Sequence, residues 1–284
     1  MSSPLPLIFE GATNYVAMPL VFSDGQINFI TWTSDQPGGF TMEQLSLLDA
    51  LRPALSLRME VMSRRRLTQL LLETYLGPDA GQRVLGGTIE RGQGETINAV
   101  IWFSDLRGFT TLSDSLPAEE IINLLNDYFE NIAIAVEERG GQILKFLGDD
   151  VLAIFPITED DPTPAANNAL LAADDARVLM GQLNARRARR EQRQIQYGIG
   201  LHVGPVNYGN IGSPTRLDFT VIGTAVNLAS RIQSMSKNLN CQIVASSTFA
   251  KVASGCLISA GWHPTRGPSE PVELFRPPNC TIAA

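Results

Sequence analysis

The stretch GGQILKFLGDDVLAIF, residues 140–155, holds two short apolar runs on either side of a Gly-Asp pair. Gly-Asp between two such runs is typical of a tight two-residue hairpin turn, so residues 142–147 and 151–155 are predicted to be paired strands. This arrangement places Asp149 at the exposed tip of the hairpin. Because Gly-Asp is also a common turn sequence, the hairpin alone does not indicate a functional site.

Apolar residues recur at strand or helix spacing in six further segments. Strands are predicted at 98–104, 195–203 and 217–222, and helices at 117–138, 164–187 and about 225–237. Together with the hairpin, they follow the order strand, helix, strand, strand, helix, strand. That order predicts an α/β (α+β) fold, a ferredoxin-like βαββαβ sandwich with extra strands and helices at its C-terminal end.

A smaller module is predicted before this sandwich. Residues 1–41 contain two runs of β-branched and aromatic residues around an Asp-Gly pair, which is a strong hairpin signal. Leucines and methionines recur at helical spacing over residues 42–76, and this helix could pack onto the hairpin or pair in parallel with the same helix of a second protomer. Glycines and prolines in residues 77–95 predict a linker, and the sandwich domain is predicted to occupy residues 96–278.

Composition excludes several classes of protein. Apolar residues make up 44% of the 284 residues and charged residues 18%, which excludes a disordered chain and a coiled-coil rod. The formal net charge of −7 argues against a general nucleic-acid-binding protein. No apolar run approaches the roughly 18–20 residues that span a bilayer, so no membrane span is expected.

Cysteine spacing and the N-terminal residues bear on the compartment. Cys241, Cys256 and Cys280 lack CxxC spacing, and we expect thiols rather than a disulfide framework or a zinc site. Met1 is not followed by a basic segment that leads into an apolar one, so a secretory signal is not expected. These features favour a cytoplasmic protein.

Two aspartates near the ends of predicted strands are candidate metal ligands. Asp105 ends the first strand of the sandwich in FSDLRGFT, residues 103–110, and Asp149 lies in the hairpin turn. If these strands are neighbours in one sheet, both carboxylates converge at one edge, and carboxylates beside phosphates commonly hold Mg²⁺. Gly108 would let backbone N–H groups approach phosphate oxygens. Ordinary turn residues are the alternative interpretation.

A second polar group lies in FTVIGTAVNLASR, residues 219–231. Asn227 and Arg231 are four residues apart and share one face of the predicted helix. An amide beside a guanidinium suits a phosphate or another anionic oxygen. A solvated polar face on an amphipathic helix is the alternative interpretation.

Together with GIGLHVGPVNYGNIG, residues 198–212, these stretches resemble the catalytic domain of class III nucleotide cyclases. The four stretches occur in the family's order and at its spacing, and the resemblance covers residues 97–276. Enzymes of this family convert a nucleoside triphosphate into a 3′,5′-cyclic monophosphate and diphosphate. The resemblance therefore implies a phosphorus–oxygen lyase.

The resemblance also implies roles for individual residues. Asp105 and Asp149, with the Leu106 carbonyl, would hold two Mg²⁺ or Mn²⁺ ions per active site. Asn227 would orient the ribose, and Arg231 would stabilise charge at the α-phosphate. The triphosphate would contact Gly108, Phe109, Thr110 and Arg266. Because the family builds each site from two catalytic domains, a single copy implies a head-to-tail homodimer with two sites.

Base selectivity is implied by Lys145 and Thr220. Adenine-selective members of the family carry Lys at the first position, and guanine-selective members carry Glu. An ammonium can donate to adenine N1, and a Thr hydroxyl can accept from the N6 amino group. ATP is therefore the expected substrate, and the Lys/Thr combination resembles a bacterial subclass that responds to bicarbonate or CO₂. The alternative is a strand-end charge at Lys145 and a β-propensity choice at Thr220.

Two positions depart from the family pattern. Tyr197-Gly198 stands where many members carry a phosphate-contacting Arg, and Arg266 is the nearest candidate for a Lys that contacts the β- and γ-phosphates. A catalytically silent module that binds nucleotide or dimerises is therefore a second hypothesis. A guanylyl or diguanylate cyclase is a third, although Lys145 argues against guanine. Asp150 is expected to add negative charge without being a third metal ligand.

The N-terminal residues 1–60 loosely resemble the end of a GAF-type sensor domain. The segment is far too short for a complete domain of that kind. We therefore expect its helix to dimerise or to relay an input, not to accompany a bound small-molecule regulator.

Overall fold

The structure, a computed structural model, describes residues 12–264 and 270–278. The chain falls into two units, Met1–Leu71 and Leu72–Ala284, whose boundary lies within one long helix. Within the described ranges, no helix is both long enough and apolar enough to cross a bilayer.

The first unit is a hairpin followed by most of a long helix. Its elements are strand β1 (Asn14–Val21), strand β2 (Ile27–Ser34) and helix α1 (Met42–Leu76), which continues into the second unit. The strands pair antiparallel along their whole length. The carboxylate of Glu60 on α1 accepts hydrogen bonds from the backbone N–H of Ser23, at 2.9 Å, and from its hydroxyl. The predicted hairpin and helix are confirmed, and the helix continues through Pro53.

The predicted linker, residues 77–95, contains regular secondary structure. These residues contain helix α2 (Pro78–Leu85) and the start of strand β3 (Gly94–Leu106). Glycine and proline mark the ends of α2: Gly77 precedes it with a φ of 84°, and Gly86 ends it. Proline suits the first residue of a helix because the N–H that it lacks would have no helical partner there.

One large mixed sheet organises the second unit. Its remaining elements are α3 (Phe109–Ser115), α4 (Ala118–Glu137), β4 (Gln142–Leu147), β5 (Asp150–Pro156), α5 (Thr163–Arg189), β6 (Tyr197–Ser213), β7 (Arg216–Ile222), α6 (Thr224–Asn238), β8 (Ile243–Ser246), α7 (Ser247–Val252), β9 (Ile258–His263) and β10 (Val272–Arg276). The strand order is β4-β5-β3-β6-β8-β10-β9, and β7 pairs with β6 outside this path. This mixed α+β architecture confirms the predicted fold class.

Helices α4 and α5 pack in the core that holds the end of β3. Tyr128 and Ile132 of α4 are fully buried in the same cluster as Trp102 of β3. The alanine-rich face of α5 is buried there as well. The Tyr128 hydroxyl donates a 3.0 Å hydrogen bond to the hydroxyl of Ser104, the residue before Asp105. The core therefore anchors the end of β3 from both helices.

Helix α6 lies directly against β6 because glycines face it. A Cβ atom on Gly200 would lie 2.5 Å from the carbonyl oxygen of Ala229 and from the backbone nitrogen of Gln233, both in α6. A Cβ atom on Gly204 would lie 2.9 Å from the Cβ of Ala225. Only residues without a side chain permit this approach, which sets the distance of the helix from the sheet.

Replacing Gly200 with alanine is expected to lower the free energy of unfolding by about 2–3 kcal/mol, because backbone atoms cannot move aside as a side chain can. Denaturant unfolding followed by circular dichroism measures the change. Gly181→Ala is the matched control: Gly181 lies inside α5, and its added Cβ would meet nothing within 4 Å. Alanine there is expected to be neutral or stabilising. Equal stability of the Gly200 variant and the wild type would contradict the described packing.

The expectation for the cysteines is met only in part. Cys256 is a free, exposed thiol. Cys241 is buried and disulfide-bonded, so the expectation of a thiol was wrong at that position. Spacing along the chain carries no information about which sulfur atoms approach each other in the fold. Cys280 lies outside the described residues.

Candidate active site

An acidic edge forms where β3 ends beside the β4–β5 hairpin. Strand β3 pairs with β5 as far as Ser104 opposite Val151, and Asp105 follows directly. The turn between β4 and β5 consists of Gly148 and Asp149, and Gly148 has a φ of 71° that glycine adopts without strain. The predicted two-residue turn is confirmed. The predicted convergence is also confirmed, since Asp149 lies near enough to Asp105 for its charge to raise the pKa of Asp105.

Burial and like charge raise the pKa values at this edge. Burial raises the pKa of Asp105 to about 8, and the neighbouring carboxyl groups of Asp149 and Asp150 add to the shift. Burial, followed by the Asp149 charge, raises the pKa of Asp150 to about 6. Such shifts arise where carboxyl groups are withdrawn from water and also lie close to other carboxylates.

The donor atoms at this edge fit a hard divalent cation. Mg²⁺ is usually held by one or two carboxylates together with phosphate oxygens and water. A cation here would also remove the repulsion that raises the pKa of Asp105. In the part of the chain that the structure describes, no group of three or more His, Cys, Asp or Glu side chains is arranged to hold a metal ion. Two carboxylates leave most ligand positions of such a cation to phosphate oxygens and water.

The metal-free protein is expected to lose stability as the pH rises from about 4 to about 8. The pKa of Asp105 is about 8 in the folded chain but about 3.9 in an unfolded chain. Between these two pH values the carboxyl group ionises readily only in the unfolded chain, so a rising pH favours unfolding. The melting temperature in EDTA should therefore be lower at about pH 8 than at about pH 5, and Mg²⁺ should raise it more at the higher pH. Asp105→Asn should remove most of this pH dependence. An unchanged dependence in that variant would contradict the charge crowding.

Arg107 connects the acidic edge to α6, a role that the sequence did not indicate. Its guanidinium donates hydrogen bonds of 2.9 Å to the carbonyl oxygens of Ser236 and Cys241, at the C-terminal end of α6. A cation is favourable there because the last carbonyl groups of a helix carry partial negative charge. No sequence signal identifies this contact, since Ser236 lies 129 residues away and offers only its backbone.

Lys145 lies on β4 beside β7, the strand that carries Thr220. Its Nζ lies 2.7 Å from Oδ2 of Asp218 on β7, and this hydrogen bond lowers the pKa of Asp218. Thr220 is two residues further along β7 and is buried. The structure therefore brings Lys145 to the expected strand, but its direct partner is Asp218, which the sequence reasoning missed. Its position two residues before Thr220, on the same side of a strand, could have indicated it.

Asn227 and Arg231 lie on the face of α6 that is directed away from its own sheet. The buried residues of α6 are Ala225, Ala229, Ile232, Gln233 and Ser236. With 3.6 residues per turn, Asn227 and Arg231 fall on the opposite side. Asn227 is exposed and Arg231 is partly buried. The two side chains share one face, as their spacing predicts, but that face is turned away from the sheet that carries Asp105.

The expected triphosphate contacts lie partly within the described residues. Gly108 has a φ of 71° and precedes α3, which begins with Phe109 and Thr110. All three therefore follow the acidic edge directly along the chain. Arg266 lies outside the described residues.

Helix packing occupies the place where the resemblance would put a phosphate-contacting arginine. Tyr197 is buried. A Cβ atom on Gly198 would lie 2.1 Å from Oγ of Ser236 on α6. A long side chain at Gly198 is therefore incompatible with the position of α6.

Several known proteins are similar to this chain. Residues 93–255 match the family model described as the adenylate and guanylate cyclase catalytic domain. An adenylate cyclase of Anabaena cylindrica is 37% identical over 160 residues, which cover 55% of this chain and 31% of that protein. The structure of a bacterial light-regulated adenylyl cyclase matches with a TM-score of 0.66 and 26% identity, covering 82% of this chain and 66% of that one. The guanylyl cyclase Cya2 matches with a TM-score of 0.57 and 30% identity, covering 67% of this chain and 99% of that one.

The matched region contains the acidic edge and the polar face of α6. The chain spans about a third of the length of the curated relatives that it matches. These similar proteins include cyclases named for each of the two nucleotides. Because the family match covers more than half of the 284 residues and the fold agrees with it, the chain belongs to the family of adenylate and guanylate cyclase catalytic domains.

Proposed function

We propose that the chain is an adenylyl cyclase, which converts ATP into 3′,5′-cyclic AMP and diphosphate. The observation that carries the proposal is the meeting of two carboxylates, Asp105 and Asp149, at one sheet edge in a chain of the cyclase family. Lys145 on the adjoining strand β4 supports ATP over GTP. Its ammonium can donate to N1 of adenine, whereas in guanine it would face the N1–H donor.

The proposed reaction is an in-line attack of the ribose 3′-oxygen on the α-phosphorus, with diphosphate as the leaving group. Asp105, Asp149 and the Leu106 carbonyl would hold two Mg²⁺ or Mn²⁺ ions, which when bound lower the pKa of the 3′-hydroxyl and neutralise the triphosphate. Positioning and charge balance contribute more to such a phosphoryl transfer than a general base does.

The remaining side chains position the nucleotide and balance its charge. Asn227 hydrogen-bonds to the ribose and fixes the direction of its 3′-oxygen. Arg231 stabilises the negative charge that develops on the α-phosphate oxygens. The triphosphate is held by the backbone at Gly108, Phe109 and Thr110 and by Arg266.

The active form is proposed to be a head-to-tail homodimer with two sites. Asn227 and Arg231 are directed away from their own sheet, so in a head-to-tail dimer they would face the acidic edge of a second copy. Two-fold symmetry then builds two identical sites, each with Asp105 and Asp149 from one protomer and the α6 face from the other. A monomer is expected to be inactive.

Exposed apolar side chains on α1 support its proposed role as a dimerisation helix. Leu47, Leu51 and Val61 are each about half exposed or more in a single copy and lie on one side of α1. Rows of exposed apolar side chains mark surfaces that are covered in an assembly. A parallel pair of α1 helices would cover them and would bring two catalytic domains together.

Metal-dependent turnover is the direct test. The purified chain is incubated with ATP or GTP and Mn²⁺, and the products are identified by mass spectrometry. Cyclic AMP from ATP, with much less cyclic GMP from GTP, is the expected result. A preference for GTP would contradict the proposed substrate. Repeating the assay over a range of bicarbonate concentrations at fixed pH tests the effector expected from Lys145 and Thr220.

A catalytically silent nucleotide-binding module is the second candidate. One observation favours it: the packing of Gly198 against Ser236 excludes the arginine that the resemblance would put there. ATP binding by the dimer without turnover, at every Mg²⁺ and Mn²⁺ concentration, would support this candidate against the first.

A further inference from the structure

The backbone that follows the acidic edge is fixed to the C-terminal end of α6. The Arg107 guanidinium donates 2.9 Å hydrogen bonds to the carbonyl oxygens of Ser236 and Cys241. The backbone N–H of Arg107 donates a 2.8 Å hydrogen bond to the carbonyl oxygen of Gln196, just before β6. The guanidinium is partly buried, and this burial lowers the pKa of Arg107. Hydrogen bonds from a charged donor are stronger than neutral ones, so they hold the two segments together firmly.

A second contact joins the acidic edge to α6 through strand β6. Asp105 is paired with Gly198 across β3 and β6. Gly198 in turn lies so close to Ser236 of α6 that no side chain would fit between them. The side-chain amide of Gln233 on α6 donates a 3.5 Å hydrogen bond to the carbonyl oxygen of Gly198. The edge and the last turns of α6 are therefore joined at two places, and close packing makes a displacement of one displace the other.

Helix α6 also carries the polar face assigned above to nucleotide binding. Asn227 and Arg231 lie between one and three turns before Ser236 on the same continuous helix. In the proposed head-to-tail dimer, they serve the site whose acidic edge comes from the partner. Each protomer therefore holds half of one site at its acidic edge and half of the other site on α6. Arg107 connects these two halves within one protomer.

We propose that Arg107 is a positioning residue for both active sites of the dimer: it holds the acidic edge that serves one site and the helix α6 that serves the other. This inference rests on the proposed dimeric cyclase. At the acidic edge, Arg107 fixes the backbone between the Leu106 carbonyl and Gly108, so the groups expected to bind metal and triphosphate keep their spacing. At the other site, it fixes the position of α6, and with it Asn227 and Arg231.

Mixed dimers with one intact site separate the two roles of Arg107. In a dimer of Asp149→Asn with Asn227→Ala, the Asn227→Ala protomer supplies the acidic edge of the intact site, and the Asp149→Asn protomer supplies its α6. Arg107→Met is added to one protomer or to the other, and the mixed dimers are purified through a different affinity tag on each protomer. Because small displacements of reacting groups are costly, kcat for cyclic AMP formation should fall about tenfold or more in both placements.

Two further variants separate positioning from a general loss of stability. Arg187→Met is the matched control, because the buried Arg187 also donates to a backbone carbonyl oxygen, that of Arg193, and pairs with Asp127. This variant should lower the melting temperature but keep kcat of the mixed dimers within about twofold. Arg107→Lys keeps a charged donor that can reach one carbonyl group, and it should restore part of kcat in both placements. Equal losses of kcat in Arg107→Met and Arg187→Met would mean a purely structural role and overturn the inference.

A loss of kcat confined to one placement overturns the inference, since Arg107 would then serve one half-site only, and so does no loss in either placement. Calorimetry with Mn²⁺ and 3′-deoxy-ATP, which cannot cyclise, extends the comparison to dimers without turnover. If the wild type makes no cyclic AMP but both placements weaken binding of 3′-deoxy-ATP, the proposed function fails alone. If cyclic AMP forms and either placement keeps the full kcat, the inference fails alone. A chain that forms no dimer overturns both.

Discussion

Asp149→Asn is expected to reduce cyclic AMP formation by about a thousandfold or more, because several kcal/mol of charge stabilisation depend on the bound ions. The Asp149 carboxylate lies at the hairpin tip and meets Asp105 there, so its loss removes half of the charge that would hold these ions. The measurement is the rate of cyclic AMP formation at saturating ATP and Mn²⁺. The variant should melt at or above the wild-type temperature in EDTA, because the substitution relieves repulsion at the acidic edge.

Asp150→Asn is the control for this prediction. Asp150 is the next residue along the hairpin, and the Asp149 charge contributes to raising its pKa to about 6. It is expected to add negative charge without holding an ion, so its replacement should change the rate by less than about tenfold through weaker electrostatics alone. A loss as large as that of Asp149→Asn would contradict the proposed set of metal ligands.

Mixing the inactive variants Asp149→Asn and Asn227→Ala is expected to restore about a quarter of the wild-type activity. The reason is that each site of the proposed symmetric dimer is built from residues of both protomers. Asp149→Asn disables the acidic half of a site, and Asn227→Ala disables the α6 half. In a mixed dimer, one site receives both substitutions and the other receives neither. Random exchange makes half of the dimers mixed, and half of the sites in these dimers are intact. Activity is measured after the two proteins are mixed and subunit exchange is verified.

Mixing Asp149→Asn with Asp105→Asn is the matched control. Both substitutions disable the same half, so every site in the mixed dimer keeps one defect and no activity should return. Activity in this control would contradict a site shared between protomers. So would an inactive mixture of Asp149→Asn and Asn227→Ala in which exchange has taken place.

Local patterns predicted much of the fold and of the acidic edge. The Gly148-Asp149 turn could be predicted because two adjacent residues determine it and the flanking strands are short and apolar. The shared face of Asn227 and Arg231 follows from their four-residue spacing. Within residues 77–95, Gly77 and Gly86 indicated breaks between regular elements, and in the structure they mark the two ends of a short helix. Glycine is common both in irregular connections and at helix ends, so only the packed structure distinguishes the two.

Contacts between distant parts of the chain could not be predicted in this way. Arg107 contacts the backbone carbonyl groups of Ser236 and Cys241, and any residue type could offer those groups. Lys145 meets Asp218, 73 residues away, because β7 approaches β4 across the folded domain. The packing of Gly198 against Ser236 likewise depends on the position of α6. None of these partners is related by a helical or strand period.

Residues that are close along the chain therefore specify the order of strands and helices, the acidic turn and the polar face of one helix. Three other features required the packed domain: the effect of Asp149 on the pKa of Asp105, the pairing of Asp218 with Lys145, and the direction of the polar face of α6 away from its own sheet. These features depend on which elements become neighbours. That choice is made by burial and close packing of the whole domain.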